Sequence, residues 1–234
     1  MTATFGIFVK FPEPGRVKTR LAAEIGGKLG DELACRLYVA FLMDLVPRFQ
    51  EISARRVLAF TPNDERTRDY FEQLGQGMYE LWPQPEGTLG DRMAAFFETF
   101  GPEPAVLIGS DSPTLERFDV EYALQRLTEV EAVLGPATDG GLYLIGLRGP
   151  LSSRLLRPIE WSTSRAFDQM LAEVRRRGRS PETMRLWYDI DTLDDVNFLR
   201  GHLAALFPNR ADRDAEVFQT SLMLDVLAGN PPLY

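Results

Sequence analysis

Aspartates follow several apolar segments of this sequence, at the points where a strand would end. Asp111 comes directly after VLIGS, Asp139 lies in PATDGG, and Asp189 and Asp191 end the segment YDID. Mg²⁺ takes oxygen ligands and is commonly held by one or two carboxylates together with substrate phosphates. An aspartate after a strand also serves as a helix cap or a turn former, so each position taken alone has two explanations. Taken together, the aspartates indicate a site for a divalent cation if the fold brings them to one edge.

The segment KFPEPGRVKTRLA, residues 10–22, is basic although the chain has a formal net charge of −8. Its prolines stiffen the backbone, and its glycine permits a close turn before a predicted helix. Helix amides together with lysine and arginine favour a phosphate-sized anion, whereas a solvated charged turn is the other explanation of such a segment. The residues of this candidate anion site are Lys10, Pro14, Gly15, Arg16, Lys18 and Arg20.

Several other classes of protein do not fit the sequence. GGKLG, residues 26–30, lacks the spacing of a P-loop, and a single histidine, His202, argues against a Ser-His-Asp hydrolase or a structural zinc site. The acidic balance argues against a broad surface for nucleic acid or for an anionic membrane. The single cysteine, Cys35, cannot form an internal disulfide, which fits a reducing compartment. The sequence also lacks an apolar segment of membrane-spanning or secretory type, so we expect a cytoplasmic protein.

The elements that must position these residues alternate along the first half of the chain. Apolar β-type runs precede helical patterns four times, which predicts parallel strands with helices on both faces of a sheet. Two further strands flank TDGG and either run antiparallel or cross the sheet, and ETMRLWYDID is predicted as a seventh strand. Asn63, Thr88, Thr192 and a serine or threonine of WSTS are predicted as helix N-caps, and Gly75 as a helix end.

We therefore expect an α/β protein, a three-layer α/β/α fold with a mixed, mainly parallel sheet of about seven strands. The expected organisation is a single domain over residues 1–234 in which 202–234 form a C-terminal helical extension, suited to packing or to a homodimer contact. Ligands of such sheets bind at the carboxyl ends of the strands. There the turn PQPEGTLGDRM, with Gln84 and Gly90, suits either contact with a base edge or a simple change of chain direction.

Six segments together resemble one bacterial family. They are KFPEPGRVKTRLA, GTLGDRM, GSDSPTL, GPATDGGLYLIGL, WSTSRAFD and DIDTLDD. The family is the radical-SAM/selenodomain-associated transferases, also described as arsenosugar-biosynthesis-type glycosyltransferases, within the nucleotide-diphospho-sugar transferase superfamily. The resemblance covers residues 5–197 and implies a GT-A-like, Rossmann-like fold; more distant similarity extends to phospholactate and molybdenum-cofactor guanylyltransferases.

The resemblance implies a role for each matching position. The loop from Pro14 to Arg20 would hold nucleotide phosphates, with Lys18 and Arg20 acting on the leaving group, and Ser110 would also contact the nucleotide. Gln84 and Gly90 would line the base pocket, although Thr88 stands where the family has an acidic residue. Asp111 would be the metal-binding aspartate of a shortened D-x-D motif and Asp191 the second metal ligand. Asp139, Gly140 and Trp161 would face the acceptor or the sugar.

Three functions are compatible with this pattern. The resemblance favours a glycosyltransferase that uses a nucleotide-sugar donor, Mg²⁺ or Mn²⁺ and a small-molecule acceptor, with Asp139 as the candidate base. The basic loop favours a nucleotidyltransferase that joins a nucleoside triphosphate to a phosphorylated small molecule, because a triphosphate requires more positive charge. A non-catalytic nucleotide-binding domain is the third alternative. All three predict a nucleotide partner.

Overall fold

The computed structural model describes residues 2–101, 103–149 and 152–229, and its backbone contacts separate two compact units. Unit 1 contains the sheet and unit 2 contains four helices and a short loop. Unit 1 consists of Met1–Phe11, Phe49–Gly109 and Leu115–Tyr188, and unit 2 of Pro12–Arg48, Ser110–Thr114 and Asp189–Tyr234.

Eight α-helices lie in the described residues. They are α1 (Thr19–Ile25), α2 (Gly27–Arg48), α3 (Glu65–Gly75), α4 (Leu89–Phe100), α5 (Arg117–Arg126), α6 (Ala166–Arg176), α7 (Leu193–Leu206) and α8 (Arg210–Leu227). A short 3-10 helix covers Ser152–Leu155. Over the described part of the chain, no helix combines the length and the apolar character needed to span a membrane.

The sheet of unit 1 has seven strands and is mixed, as predicted. The strands are β1 (Thr4–Lys10), β2 (Arg55–Thr61), β3 (Glu80–Pro83), β4 (Ala105–Ile108), β5 (Ala132–Pro136), β6 (Leu142–Leu147) and β7 (Glu182–Thr183). Their order is β3-β2-β1-β4-β6-β5-β7. Only β6 runs against its neighbours, β4 and β5, so the two strands that flank TDGG are antiparallel.

Helices cover both faces of this sheet. Alternate residues of a strand point to opposite faces, and β2 shows both environments. Val57 and Ala59 belong to a buried cluster with α4 and α6, whereas Phe60 packs on Phe71 of α3 with ring centroids 6.3 Å apart. Unit 1 is therefore a three-layer α/β/α structure, which confirms the predicted fold class.

Unit 2 is built around the long helix α2, whose inner face is apolar. Leu37, Phe41 and Leu45 are completely buried, and α2 contacts both α1 and α8. Fully burying a side chain of this size stabilises the folded state by about 1.5 to 3 kcal/mol. Cys35 is a buried free thiol on the same helix.

Two predicted helix caps are correct and two are wrong. Thr88 and Thr192 form capping boxes with Asp91 and Asp195. The cap of α3 is Asp64, which accepts from the amide of Thr67 at 2.8 Å, and not Asn63. Helix α3 ends at Gly75, as expected.

The N-cap of α6 is Arg165 instead of a serine or threonine, and its side chain makes no capping bond among the described residues. The amides of Ala166 and Phe167 instead donate to the carbonyl oxygens of Thr163 and Gly140. Backbone acceptors therefore replace a side-chain cap at this helix.

The seventh strand is much shorter than predicted. It contains only Glu182 and Thr183, and the chain beyond it touches β5 through single bonds from Met184 and Trp187 to carbonyl oxygens. Irregular pairing of this kind ends the strand before YDID. Asp191 consequently lies beyond the sheet, in the last segment of unit 2, which begins at Asp189.

Candidate active site

Lys18 occupies an unusual backbone conformation at the start of α1. It is the N-cap of that helix with φ 48° and ψ 43°, a left-handed conformation that costs a residue with a Cβ about 1 to 2 kcal/mol. The lysine side chain is only 2% exposed, and its ammonium forms ion pairs with Asp111 and, at 3.2 Å, with Asp191. The turn thus directs a buried cation between two carboxylates of unit 2.

The loop that carries Asp111 is fixed residue by residue. The hydroxyl of buried Ser110 shares a hydrogen bond of 2.9 Å with the hydroxyl of Tyr38 on α2. The carbonyl oxygen of Asp111 accepts from the amide of Ile190 at 3.0 Å. This backbone bond joins the loop to the segment that leads to Asp191.

The next two residues of the loop are held in the same way. Ser112 donates its hydroxyl to Asp189 at 2.5 Å. The carbonyl oxygen of Pro113 accepts from the guanidinium of Arg48 at 2.5 Å, and that guanidinium also donates to the carbonyl oxygen of Glu216 on α8 at 2.7 Å. Each of the four consecutive residues 110–113 therefore forms a hydrogen bond, so the loop is held in place before any ligand binds.

Asp191 is positioned by the start of α7. Its amide donates to the carboxylate of Asp195 at 3.0 Å, and the same carboxylate forms the capping box with Thr192. The side chain of Asp191 also accepts from Arg20 at 3.5 Å. A helix cap thus fixes the backbone and leaves the Asp191 carboxylate directed at Lys18 and Arg20.

The charges of this cluster keep Lys18 protonated. Burial lowers the pKa of the Lys18 ammonium, but the neighbouring charges of Asp111 and Asp191, and to a smaller extent Asp189, raise it above its ordinary value. The balance of these effects favours the cation. Lys18 is therefore a fixed positive charge at neutral pH.

The two carboxylates also have the chemistry needed to hold a divalent cation. The side chain of Asp111 is 44% exposed and that of Asp191 is 38% exposed, so both combine a contact to Lys18 with a side open to solvent. Over the described ranges, no group of three or more acidic, histidine or cysteine side chains is arranged around a common metal position. Two carboxylates suit Mg²⁺ or Mn²⁺ that completes its coordination with water and substrate phosphates.

Comparison with known sequences assigns the family. A family profile described as "Uncharacterized protein conserved in bacteria (DUF2064)" matches residues 46–163, just over half of the chain. This protein belongs to DUF2064. The matched region contains Asp111, Gln84, Gly90, Asp139 and Trp161, whereas Lys18 and Asp191 lie outside it. No curated protein matches the DUF2064 chain.

Solved structures extend the likeness over the whole chain. A Desulfovibrio desulfuricans G20 protein described as a candidate nucleotide-diphospho-sugar transferase is 28% identical, with a TM-score of 0.83 and 100% of both chains covered. A cytidylyltransferase from Leptospira borgpetersenii serovar Hardjo-bovis is 13% identical, with a TM-score of 0.57, and covers 100% of this chain and 99% of its own. A CMP:2-keto-3-deoxy-manno-octonic acid synthetase solved with CTP is 14% identical, with a TM-score of 0.51, and covers 88% of this chain and 100% of its own.

The Desulfovibrio structure confirms three predictions about the DUF2064 protein. They are the nucleotide-diphospho-sugar transferase fold, the superfamily part of the resemblance, and an enzyme of the transferase class. The two more distant structures, below 25% identity, bear on the fold alone.

The two residues predicted to line the base pocket, Gln84 and Gly90, contact other residues of unit 1. Gln84 is buried and donates its side-chain amide to the carbonyl oxygen of Ala59 at 2.7 Å. Gly90 lies against the indole of Trp161, since a Cβ at Gly90 would come within 2.7 Å of the indole nitrogen. That nitrogen donates to the carbonyl oxygen of Leu156 at 2.8 Å. The three predicted residues therefore support the local packing of unit 1, and their contact with a ligand stays a prediction.

Asp139 and Gly140 form the turn between β5 and β6. The exposed Asp139 carboxylate accepts from the amide of Gly141 at 2.8 Å, which closes the turn. Gly140 has φ 85°, and a Cβ there would lie 2.1 Å from the carbonyl oxygen of Ser164. The turn thus requires glycine for both its conformation and its close approach to the segment before α6.

The predicted anion loop is divided between the two units. Lys10 ends β1 and belongs to unit 1, whereas the loop after it belongs to unit 2. Arg16 is exposed and lies 3.9 Å from Glu13, and Gly15 turns the chain with φ 75° beside the exposed Pro14. Only Lys18 and Arg20 of this loop contact Asp111 or Asp191 through ion pairs in the described residues.

The sequence interpretation missed Tyr38 and Arg48, which hold the Asp111 loop from α2. Both stand among apolar residues of the helical segment, but so do other polar residues such as Arg36 and Asp44. The spacing of ten residues between Tyr38 and Arg48 corresponds to nearly three helical turns, which allows both to face one side of the helix. That pattern alone does not identify the loop that they bind.

An open cleft of unit 1 was also missed. It has a volume of about 490 Å³ and is lined by residues of α3 and by Phe11, just after β1. Tyr70 meets Phe11 edge to face at 5.4 Å, and the Arg66 guanidinium lies 4.4 Å from the centre of the Phe11 ring. The aromatic rings and the guanidinium of this cleft thus pack on one another.

Proposed function

We propose that this protein is a metal-dependent transferase that uses a nucleotide sugar as donor, with Asp111 and Asp191 as metal ligands. The observation that carries the proposal is the convergence of these carboxylates with Lys18 and Arg20 in unit 2. A metal diphosphate requires both carboxylates and cations in one place. The description of the Desulfovibrio protein as a candidate nucleotide-diphospho-sugar transferase supports the nucleotide-sugar donor.

In the proposed reaction, Lys18 and Arg20 bind the diphosphate and stabilise the negative charge that develops on the departing nucleoside diphosphate. Mg²⁺ or Mn²⁺ held by Asp111 and Asp191 would supply additional positive charge to the same leaving group. The acceptor hydroxyl loses its proton and its oxygen attacks the anomeric carbon of the sugar, and Asp139 is the residue that the family resemblance implies as the base. The family resemblance supports this glycosyl transfer, including its arsenosugar-type assignment.

Nucleotidyl transfer is the second candidate because of the charge of the anion loop. A triphosphate donor needs more cationic partners than a diphosphate, and this loop has four lysine and arginine residues between positions 10 and 20. The attacking phosphate is already an anion, so this reaction needs no strong base. The cytidylyltransferase neighbours share the fold and are compatible with this candidate.

The released product distinguishes the two reactions. The purified protein is incubated with panels of nucleotide sugars and nucleoside triphosphates, with Mg²⁺, with Mn²⁺ and without metal, and binding is followed by thermal shift. Candidate acceptors are then added. Glycosyl transfer releases a nucleoside diphosphate, whereas nucleotidyl transfer releases pyrophosphate.

Asp111→Asn is the decisive variant, and Asp194→Asn is its matched control. Asp194 is an exposed aspartate in the first turn of α7, three residues from Asp191. We expect Asp111→Asn to abolish metal-dependent stabilisation by the donor and Asp194→Asn to retain it. Metal-independent donor binding that Asp111→Asn leaves unchanged would contradict the proposal and favour a non-catalytic nucleotide-binding domain.

A further inference from the structure

The cations of the site already neutralise the carboxylates that are proposed to bind metal. Lys18 contacts both Asp111 and Asp191, and Arg20 contacts Asp191 on its second oxygen. Two positive groups therefore face two negative ones, and Asp189 is the further carboxylate whose charge acts on Lys18. An incoming divalent cation meets a pair of ligands that already have a cationic partner.

Burial makes this arrangement different from a surface salt bridge. The Lys18 side chain is 2% exposed, whereas the two carboxylates are 44% and 38% exposed. A solvent-exposed lysine can leave its partner and be hydrated at little cost. If the buried ammonium of Lys18 moved away from the two carboxylates, it would be left inside the protein without a charged partner. Lys18 therefore remains near the carboxylates until another anion is available to it.

A bound diphosphate is such an anion. It gives Lys18 and Arg20 new negative partners, which reduces their effect on the carboxylates and at the same time adds oxygen ligands for the metal. We infer that Lys18 acts as a resident counter-ion that keeps the affinity for metal alone low and makes metal binding conditional on the diphosphate. The inference rests on the proposed function and adds an order of binding to it: the metal and the diphosphate bind together, each raising the affinity for the other.

The first test measures metal binding without any nucleotide. Mn²⁺ is titrated into the protein and the free ion is followed by electron paramagnetic resonance. Lys18→Met removes the charge and keeps an unbranched apolar side chain, so we expect it to bind Mn²⁺ at least about tenfold more tightly than the wild type. Lys18→Arg retains the charge and is expected to bind as weakly as the wild type.

Two controls locate the effect. Lys28→Met removes an exposed lysine of α2 and should leave the Mn²⁺ affinity unchanged. Lys18→Met combined with Asp111→Asn should lose the gain, which places the ion at the carboxylates. If Lys18→Met binds Mn²⁺ no more tightly than the wild type, the inference is wrong.

The second test uses the wild-type protein and inorganic pyrophosphate, so it does not depend on how well a variant folds. Mg²⁺ and pyrophosphate together should raise the melting temperature by more than the sum of their separate effects. Strong stabilisation by Mg²⁺ alone, with nothing added by pyrophosphate, would overturn the inference.

The two tests separate this inference from the proposed function. In one outcome, Lys18→Met binds Mn²⁺ more tightly, but no nucleotide and no pyrophosphate stabilises the wild type. That outcome would contradict the proposed function and the coupling between metal and diphosphate binding. Nucleotide-sugar turnover together with equal Mn²⁺ affinities of wild type and Lys18→Met would contradict the inference and leave the function in place.

Discussion

The ammonium of Lys18 lies 3.2 Å from a carboxylate oxygen of Asp191, although the two residues are 173 positions apart in the chain. The contact joins the start of α1 to the segment that leads into α7, and Asp111 adds the third member from the loop after β4. Three distant parts of the sequence therefore meet within unit 2. Local residue types predicted each part, and the fold brings them into contact.

Lys18→Ala should weaken binding of a nucleotide donor far more than Lys28→Ala. A charge-assisted hydrogen bond contributes about 1.5 to 3 kcal/mol, so we expect a loss of affinity between about 10- and 100-fold. Lys28 is exposed on α2 and makes a matched control for the loss of one positive charge. Isothermal titration calorimetry in the presence of Mg²⁺ measures the donor affinity of both variants. Equal effects of the two substitutions would remove the first loop from the donor site.

Arg48→Ala should impair the site from a distance, because Arg48 holds the carbonyl oxygen of Pro113 and not a ligand. We expect a loss of unfolding free energy of about 1 to 3 kcal/mol and weaker metal-dependent donor binding, since Asp111 is two residues from Pro113. Arg48→Lys should retain part of the unfolding free energy and part of the donor binding that Arg48→Ala loses.

The matched control for Arg48 is Arg117→Ala, which removes a half-exposed arginine paired with Glu51 and Glu121. Chemical denaturation and titration are carried out on all three variants. If Arg117→Ala reduces metal-dependent donor binding as much as Arg48→Ala does, a positioning role for Arg48 is excluded.

Asp139→Asn distinguishes the two proposed reactions. Asparagine retains a side-chain oxygen that can accept from the amide of Gly141, so the turn should remain closed. If Asp139 is the base of glycosyl transfer, kcat should fall by about 100-fold or more while donor affinity is retained. A nucleotidyl transfer needs no such base, and its rate should change little. Rate measurements on the identified donor decide between these outcomes.

Much of the fold and of the candidate site could be predicted because the signals are local. The alternation of apolar runs with amphipathic segments identifies β1 to β4 and their helices, and Thr88 and Thr192 precede acidic residues at capping-box spacing. Asp111 and Asp191 stand directly after apolar segments, and Lys18 stands in a strongly basic turn. These features depend on neighbours within a few residues.

The remainder depends on tertiary contacts. The sequence of ETMRLWYDID favours a strand, yet only Glu182 and Thr183 pair regularly, because the later residues touch β5 through single bonds. The cap of α6 comes from the carbonyl oxygens of Thr163 and Gly140. Partners of this kind are determined by how the chain packs, and no pattern within the segment predicts them.

Gly140→Ala should destabilise the protein more than Gly178→Ala. Both glycines have positive φ angles, 85° and 72°, so both substitutions place a Cβ in a conformation that costs about 1 to 2 kcal/mol. Only Gly140 has backbone in the way, with the carbonyl oxygen of Ser164 at 2.1 Å from the new Cβ, whereas the site of Gly178 is open. Urea denaturation of both variants measures the difference. Equal losses would contradict the close approach of this turn to the segment before α6.

Asp44 should make the stability of unit 2 depend on pH. It lies on α2 and accepts from the amides of Gln219 and Thr220, just after the residue at which α8 departs from helical geometry, Val217. Burial raises the pKa of the Asp44 carboxyl, although these hydrogen bonds and the charge of Arg48 lower it in part. The folded state therefore binds the proton more tightly than the unfolded chain does.

The sign of the effect follows from this difference in proton binding. Between the ordinary value of 3.8 and the raised folded pKa, the folded protein has more protons bound, so the contribution of Asp44 to stability falls as the pH rises. Asp44→Asn does not titrate. The unfolding free energy of the wild type, minus that of Asp44→Asn, should thus decrease from pH 4 towards pH 7. Urea unfolding of both proteins across this range measures it, and a difference that stays constant or increases with pH would show that the α8 amides stabilise the carboxylate at least as much as burial penalises it.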